Sequence, residues 1–227
     1  MTKALPFSNL SSLQQRVLSS CIMVPTFMLS IYFGGVLYFV LMSVILFIAY
    51  DEWSKMADKS KTKTKDCLWG SAYLTIGLAT LFLMRVLPTD AMLVTLALFF
   101  IIWSCDTGAY FSGRKFGKKK LCPTISPGKT WAGFIGGLVA GGFVGYLCHH
   151  VLGIYHSVEA GIFIGAFVAL TGQAGDLIIS KYKRYVGVKD TGTIIPGHGG
   201  VLDRMDSLLL AAPVYLICII FLHHQVV

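Results

Sequence analysis

The feature that most constrains this chain is a recurring apolar run. Stretches at about 17–33, 35–50, 67–84, 91–105, 131–152, 157–179 and 206–222 carry almost no charge. About 20 such residues in a helix cross ~30 Å of hydrocarbon. Inside lipid a helix also satisfies its own backbone hydrogen bonds. Hydrophobic residues fill 55% of the 227 positions and charged residues 13%, against roughly 25% charged in a soluble domain. The predicted fold class is therefore all-α, a polytopic integral membrane helix bundle of about seven transmembrane helices. Gly34-Gly35 predicts a tight hairpin between the first two runs. The fourth run is short, which predicts a start near Pro88 or a place in a crowded bundle. No Pro/Ser-rich linker divides the chain, so 1–227 reads as a single membrane domain, with N-terminal spans over about 1–105 and the polar loops within about 106–227.

The basic residues give the orientation, because cytoplasmic loops carry an excess of lysine and arginine. With the N-terminus cytoplasmic, 18 of the 19 fall inside, from Lys3 and Arg16 through Lys55–Lys65, Arg114–Lys129 and Lys181–Arg204, and only Arg85 falls outside. An even number of spans puts a strongly basic loop on the wrong side. The +8 net charge then reads as orientation and attraction to anionic lipid headgroups, worth ~1 kcal/mol per basic residue near the surface. No aromatic residue interleaves with Lys55–Lys65, so a nucleic-acid partner is not expected. Leu10, Leu13 and Val17 recur at helical spacing and predict a segment from Ser8 to Val17 lying along the membrane. The six cysteines show neither C-x-x-C pairs nor zinc-like spacing and read as free thiols. Leu18-Ser19-Ser20-Cys21 has the composition of a lipoprotein processing site, but its apolar run follows Cys21, so no cleavage is expected.

Two polar segments carry the chemistry. The first, Asp106–Thr130, has glycines at 108, 113, 117 and 128 for tight turns, and basic residues suited to a polyphosphate. Its tail Pro127-Gly128-Lys129-Thr130 is not a P-loop, because Pro123 stands where the first glycine belongs and no βαβ unit surrounds it. The second runs from Thr171 to Ser207. Asp176 falls at the end of the sixth span, where an ionisable residue is costly and marks function. Helical periodicity places Gln173, Asp176, Ser180, Lys183 and Arg184 near one face, which predicts a carboxylate and two cations projecting into the same cavity. Asp203 and Asp206 are neighbours at the start of the seventh helix, just after the Gly197-His198-Gly199-Gly200 turn. Asp176, Asp203 and Asp206 together suit a hydrated Mg²⁺, which with basic side chains neutralises a polyphosphate. His198 reads as a turn residue able to hydrogen-bond phosphate.

From Ser180 to Asp206 the chain resembles the signature of the phosphatidate cytidylyltransferases. The resemblance is carried by Ser180, Lys183, Arg184, Lys189, Asp190, His198, Gly199, Gly200, Asp203, Arg204 and Asp206. The earlier segment resembles the family through Asp106, Thr107, Ala109, Tyr110, Gly113, Arg114, Gly117, Ser126, Pro127, Lys129 and Thr130, and Arg16-Val17 more loosely. Tyr182 stands where an aliphatic residue or Phe is usual, and Ala132 where an acidic residue is common. The resemblance implies that CTP and phosphatidate give CDP-diacylglycerol and pyrophosphate with Mg²⁺, and a second, monovalent cation such as K⁺ is a further expectation. It assigns catalysis to Asp176, Lys183, Arg184, Asp203, Arg204 and Asp206, with Asp176, Asp203 and Asp206 as the metal set. Substrate binding falls to Asp106, Arg114, Ser126, Lys129, Thr130, Ser180, Lys189, Asp190, His198, Gly199 and Gly200. A homodimer in the cell or inner membrane, with its active site on the cytoplasmic face, completes the expectation. A lipid phosphate is already ionised and needs no general base, so a direct in-line displacement is expected. Two alternatives stay open, a CTP-dependent lipid kinase and a transporter using Asp176 as a proton site.

Overall fold

The computed structural model describes residues 11–88 and 90–224. Lys3 and the Ser8–Leu10 part of the predicted surface segment lie outside them. Seven helices are long and apolar enough to cross a membrane, as the seven runs predict: α1 (Ser12–Phe33), α2 (Gly35–Ala57), α3 (Lys63–Met84), α4 (Ala91–Phe116), α5 (Trp131–Leu147), α6 (Val158–Tyr185) and α7 (Leu202–His224). A π-helical turn, Cys148–Leu152, prolongs α5. The cysteines are all free thiols.

Local signals set the helix limits. Ser11 caps α1 in a capping box: its Oγ accepts from Gln14 N at 3.3 Å, and its own N–H donates to Gln14 Oε1 at 2.9 Å. Residues 12–17 therefore continue directly into the first span. The α1–α2 hairpin turns on Gly34 at φ 60°, with Gly35 at φ 50°, a region costly to residues with a Cβ. Past α3, Arg85 Nε donates to Ile31 O at 3.0 Å and ties this hairpin to the bundle.

The fourth span differs from the sequence expectation. It ends at Phe116 and not near 105, so Asp106–Phe116 is helix and not loop. Its 26 residues extend ~39 Å, longer than the hydrocarbon is thick. The physical reason lies in two glycines read as turn formers. Gly108 and Gly113 instead let α5 approach: a Cβ on Gly108 would meet Ala140 Cβ at 2.6 Å and Gly136 O at 2.7 Å, and one on Gly113 would meet Thr130 Oγ1 at 3.0 Å. Only the remainder of the segment is non-helical, an antiparallel hairpin of β1 (Lys120–Cys122) and β2 (Ser126–Thr130).

Glycines also join α5 to α6. Gly141 and Gly145 face Gly165 and Gly161, and a Cβ on Gly145 would run into the Gly161 carbonyl oxygen. Small residues at such a crossing let backbones pack without a hydrophobic driving force between helices. α4, α5 and α6 form the most closely packed part of the bundle, and α7 seals it against α3. The ends of α2, α4 and α6 and the starts of α3, α5 and α7 gather at one end, where the hairpin and the 186–201 loop also lie.

Candidate active site

A cavity of ≈ 400 Å³ opens at that end between α4, the β-hairpin, α5 and α6. α4 contributes Asp106, Tyr110 and Arg114, the hairpin Lys120, Lys129 and Thr130, and α6 Gln173 and Asp176. Asp106 is reached by solvent although protein surrounds it, as lining a cavity requires. Lys129 Nζ pairs with Asp176 Oδ2 at 2.7 Å. Arg114 donates to the Tyr110 hydroxyl at 3.0 Å. Thr130 is 5% exposed, and its Oγ1 accepts from Gly133 N at 3.1 Å, which caps α5 beside the cavity.

One turn along α6 the polar groups continue inward. Ser180 Oγ donates to Asp176 Oδ1 at 3.0 Å. Lys183 Nζ pairs with Asp203 Oδ1 at 2.6 Å, with both side chains under 10% exposed. Asp203 Oδ2 accepts from Thr191 N at 2.8 Å and Gly200 N at 3.0 Å. The Thr191 hydroxyl stands 3.1 Å from the same oxygen and 2.8 Å from Glu52 Oε2, so one proton is shared between two carboxylates. Glu52, from α2, also accepts from Val201 N and Leu202 N, each at 2.9 Å.

Several sequence expectations are corrected by these contacts. Lys183 and Arg184 do not share the cavity of Asp176. Lys183 turns to Asp203, while Arg184 donates to Ile125 O at 3.1 Å and Val188 O at 2.9 Å, bracing the hairpin and the α6 exit loop. The cation facing Asp176 is Lys129, brought in by the hairpin. Asp176, Asp203 and Asp206 do not converge as one metal set, and among the described residues no three His, Cys, Asp or Glu side chains gather closely enough to ligate an ion directly. Asp203 has both oxygens engaged by the loop and Lys183, because α7 begins directly beneath that loop. Gly200 likewise commits its N–H to Asp203. Asp106 and Asp206 both lie within electrostatic reach of Asp176. These three form no protein-only cage, so an ion among them would have to keep waters of its own.

The remaining candidates lie around this centre. Ser126 is half-buried in β2, opposite Cys122. Lys189, Asp190 and Arg204 are exposed near the 186–201 loop. Gly197 and Gly199 take φ of 75° and 86°, and Gly199 O accepts from Ile195 N at 2.9 Å. His198 Nε2 is 3.4 Å from Ser20 Oγ. Burial first, then the charges of Arg204 and Arg16, hold its imidazole below the usual value, against a hydrogen bond to the Pro196 backbone that raises it. Arg16 Nε and Ser19 Oγ donate to Gly197 O and Pro196 O, each at 2.9 Å, and fasten α1 to the same turn. Sequence reasoning missed Glu52 and Thr191. The apolar run of the second span stops at about 50 while α2 continues to Ala57, so Glu52 gives its signal, an acidic residue inside an apolar helix, only once the helix is known to extend past it.

Comparisons with known proteins identify the family of the chain. A profile described as the cytidylyltransferase family matches residues 14–87 and 67–222. A phosphatidate cytidylyltransferase of Rickettsia bellii is 38% identical over 210 residues, 90% of this chain and 89% of that protein. One of Rickettsia conorii is 36% identical over 218 residues, 93% of each chain. One of Staphylococcus haemolyticus is 40% identical over 154 residues, 68% of this chain and 58% of that protein. Matched along nearly its whole length, this integral membrane protein belongs to the cytidylyltransferase family.

Proposed function

We propose that this protein transfers the cytidylyl group of CTP to phosphatidate, giving CDP-diacylglycerol and pyrophosphate, at the cytoplasmic end of its bundle. One observation carries the reading: the cavity at the polar end sets Arg114, Lys120 and Lys129 against Asp106 and Asp176, beside the buried Lys183–Asp203 pair. Three cations around a water-accessible cavity suit a triphosphate and an anionic lipid headgroup. They reduce the repulsion between two negative reactants, which is the main obstacle to their direct reaction. Asp106 and Asp176, with Asp206 behind them, would hold Mg²⁺ through waters, and the ion would add further charge neutralisation when bound. Lys129 is poised to exchange its pairing with Asp176 for a phosphate. The Lys183–Asp203 pair holds the 190–201 loop against α6 and so keeps the wall of the site in register. The lipid phosphate attacks as an anion already formed, and pyrophosphate leaves.

The test uses purified protein in detergent with labelled CTP, phosphatidate and Mg²⁺. The expected products are CDP-diacylglycerol and pyrophosphate in equal amounts. Release of CDP with a newly phosphorylated lipid would instead identify a kinase and end this reading.

A further inference from the structure

Glu52 lies in the N-terminal half, is 2% exposed, and forms no ion pair with a Lys, Arg or His among the described residues. A buried carboxylate without a cation is costly unless hydrogen bonds compensate it. Its donors all come from one place about 140 to 150 positions away in sequence: the Thr191 hydroxyl and the N–H groups of Val201 and Leu202. The last two are free donors at the start of α7, where the helix dipole favours a negative charge. The surrounding backbone is shaped to this group. A Cβ on Gly192 would lie 2.6 Å from Glu52 Oε1, and one on Gly200 would run into Thr191 Oγ1 and both Glu52 oxygens.

We infer that Glu52 is a positioning residue for the cytidylyl transfer, acting across the bundle through Thr191 and Asp203 to set Lys183 and the start of α7. This rests on the function proposed above. Glu52 does not line the cavity, and its hydrogen bonds go to Thr191, Val201 and Leu202 rather than to Lys129 or Asp176. Its hold runs through the shared Thr191 proton to Asp203, and from Asp203 to Lys183. The CTP cavity is walled by α4, the hairpin, α5 and α6, which Glu52 does not contact through any of its hydrogen bonds. Losing Glu52 therefore lowers turnover more than CTP affinity.

Glu52→Gln keeps the volume but turns an NH₂ toward a backbone N–H or the Thr191 hydroxyl, leaving a donor unpaired. Thr191→Val keeps the shape and removes the hydroxyl that reaches both Glu52 and Asp203, while the backbone N–H still bonds Asp203. Wild type and both variants are purified full-length in detergent, and thermal midpoint, kcat and CTP KM are measured at saturating phosphatidate. Glu52→Gln is expected to lose about 10- to 100-fold in kcat, with KM within about 3-fold and a midpoint within a few degrees. Thr191→Val is expected to fall in the same direction by about 3- to 10-fold. A folded Glu52→Gln with kcat within about 2-fold of wild type overturns the inference. So does a loss that only tracks the fraction of unfolded protein. If Glu52→Gln yields no folded protein, Thr191→Val decides: reduced kcat at an unchanged midpoint supports the inference, and wild-type kcat overturns it. A wild-type protein that makes no CDP-diacylglycerol fails the proposed function itself, a result distinct from any of these.

Discussion

Two aspartates, one paired with Lys129 and the other with Lys183, carry different expectations. Asp176 faces the cavity with a side chain 31% exposed and paired to Lys129, so Asp176→Asn removes charge from the cavity wall and leaves the packing alone. Its kcat is expected to fall more than ~100-fold, with little change in thermal midpoint. The Asp203 side chain is 5% exposed and answers Lys183 and the 190–201 loop. Asp203→Asn leaves Lys183 buried without its counter-charge, and is expected to destabilise by about 3–5 kcal/mol as well as lose activity. Chemical or thermal denaturation in detergent separates the two, and equal destabilisation of both variants would contradict the division of roles. Sequence spacing placed Asp176 and Lys183 on one face of α6, and that face exists. It could not tell that Lys183 turns inward to α7 while Lys129 arrives from a hairpin about 50 positions earlier in the chain.

Among the elements, α5 is the hinge of the arrangement, because its glycines set how closely α4 and α6 approach and hence how the cavity walls meet. Gly145→Ala drives a methyl group into the Gly161 carbonyl, whereas Gly128 in β2 has open space around the position of a Cβ. Gly145→Ala is expected to cost about 1–3 kcal/mol or more through overpacking, while Gly128→Ala leaves the melting temperature unchanged. Thermal melts of the two variants in one detergent check this. A tolerated Gly145→Ala would mean that the α5–α6 approach is looser than described. Two glycines of α4 itself explain why the sequence reads that helix as short. Gly108 and Gly113 resemble turn residues when read locally, and only the presence of α5 against them makes a continuous helix favourable.

For the whole molecule, the cavity end coincides with the end that carries the lysine-rich α2–α3 connection, and the cytoplasmic assignment proposed above rests on that charge. A single cysteine placed in the Lys55–Lys65 loop of a cysteine-free background is expected to resist an impermeant thiol reagent in intact cells. One at Val86, 60% exposed beside Arg85, is expected to react. The opposite pattern would put the cavity on a side without CTP and overturn the cytoplasmic assignment. The seven spans, the Gly34–Gly35 turn and the position of the basic loops were determined by the sequence alone. Transfer into lipid is summed over each run's own ~20 residues, and a loop's charge does not depend on how helices pack. The partners of the polar groups were decided only by the tertiary structure. Lys129 answers Asp176, Thr191 joins Asp203 to Glu52, and Glu52 of α2 holds the start of α7. A hydrogen bond reaches about 3 Å, so which donor meets a buried carboxylate depends on which helix faces the bundle brings together, and no local pattern in the chain encodes that meeting.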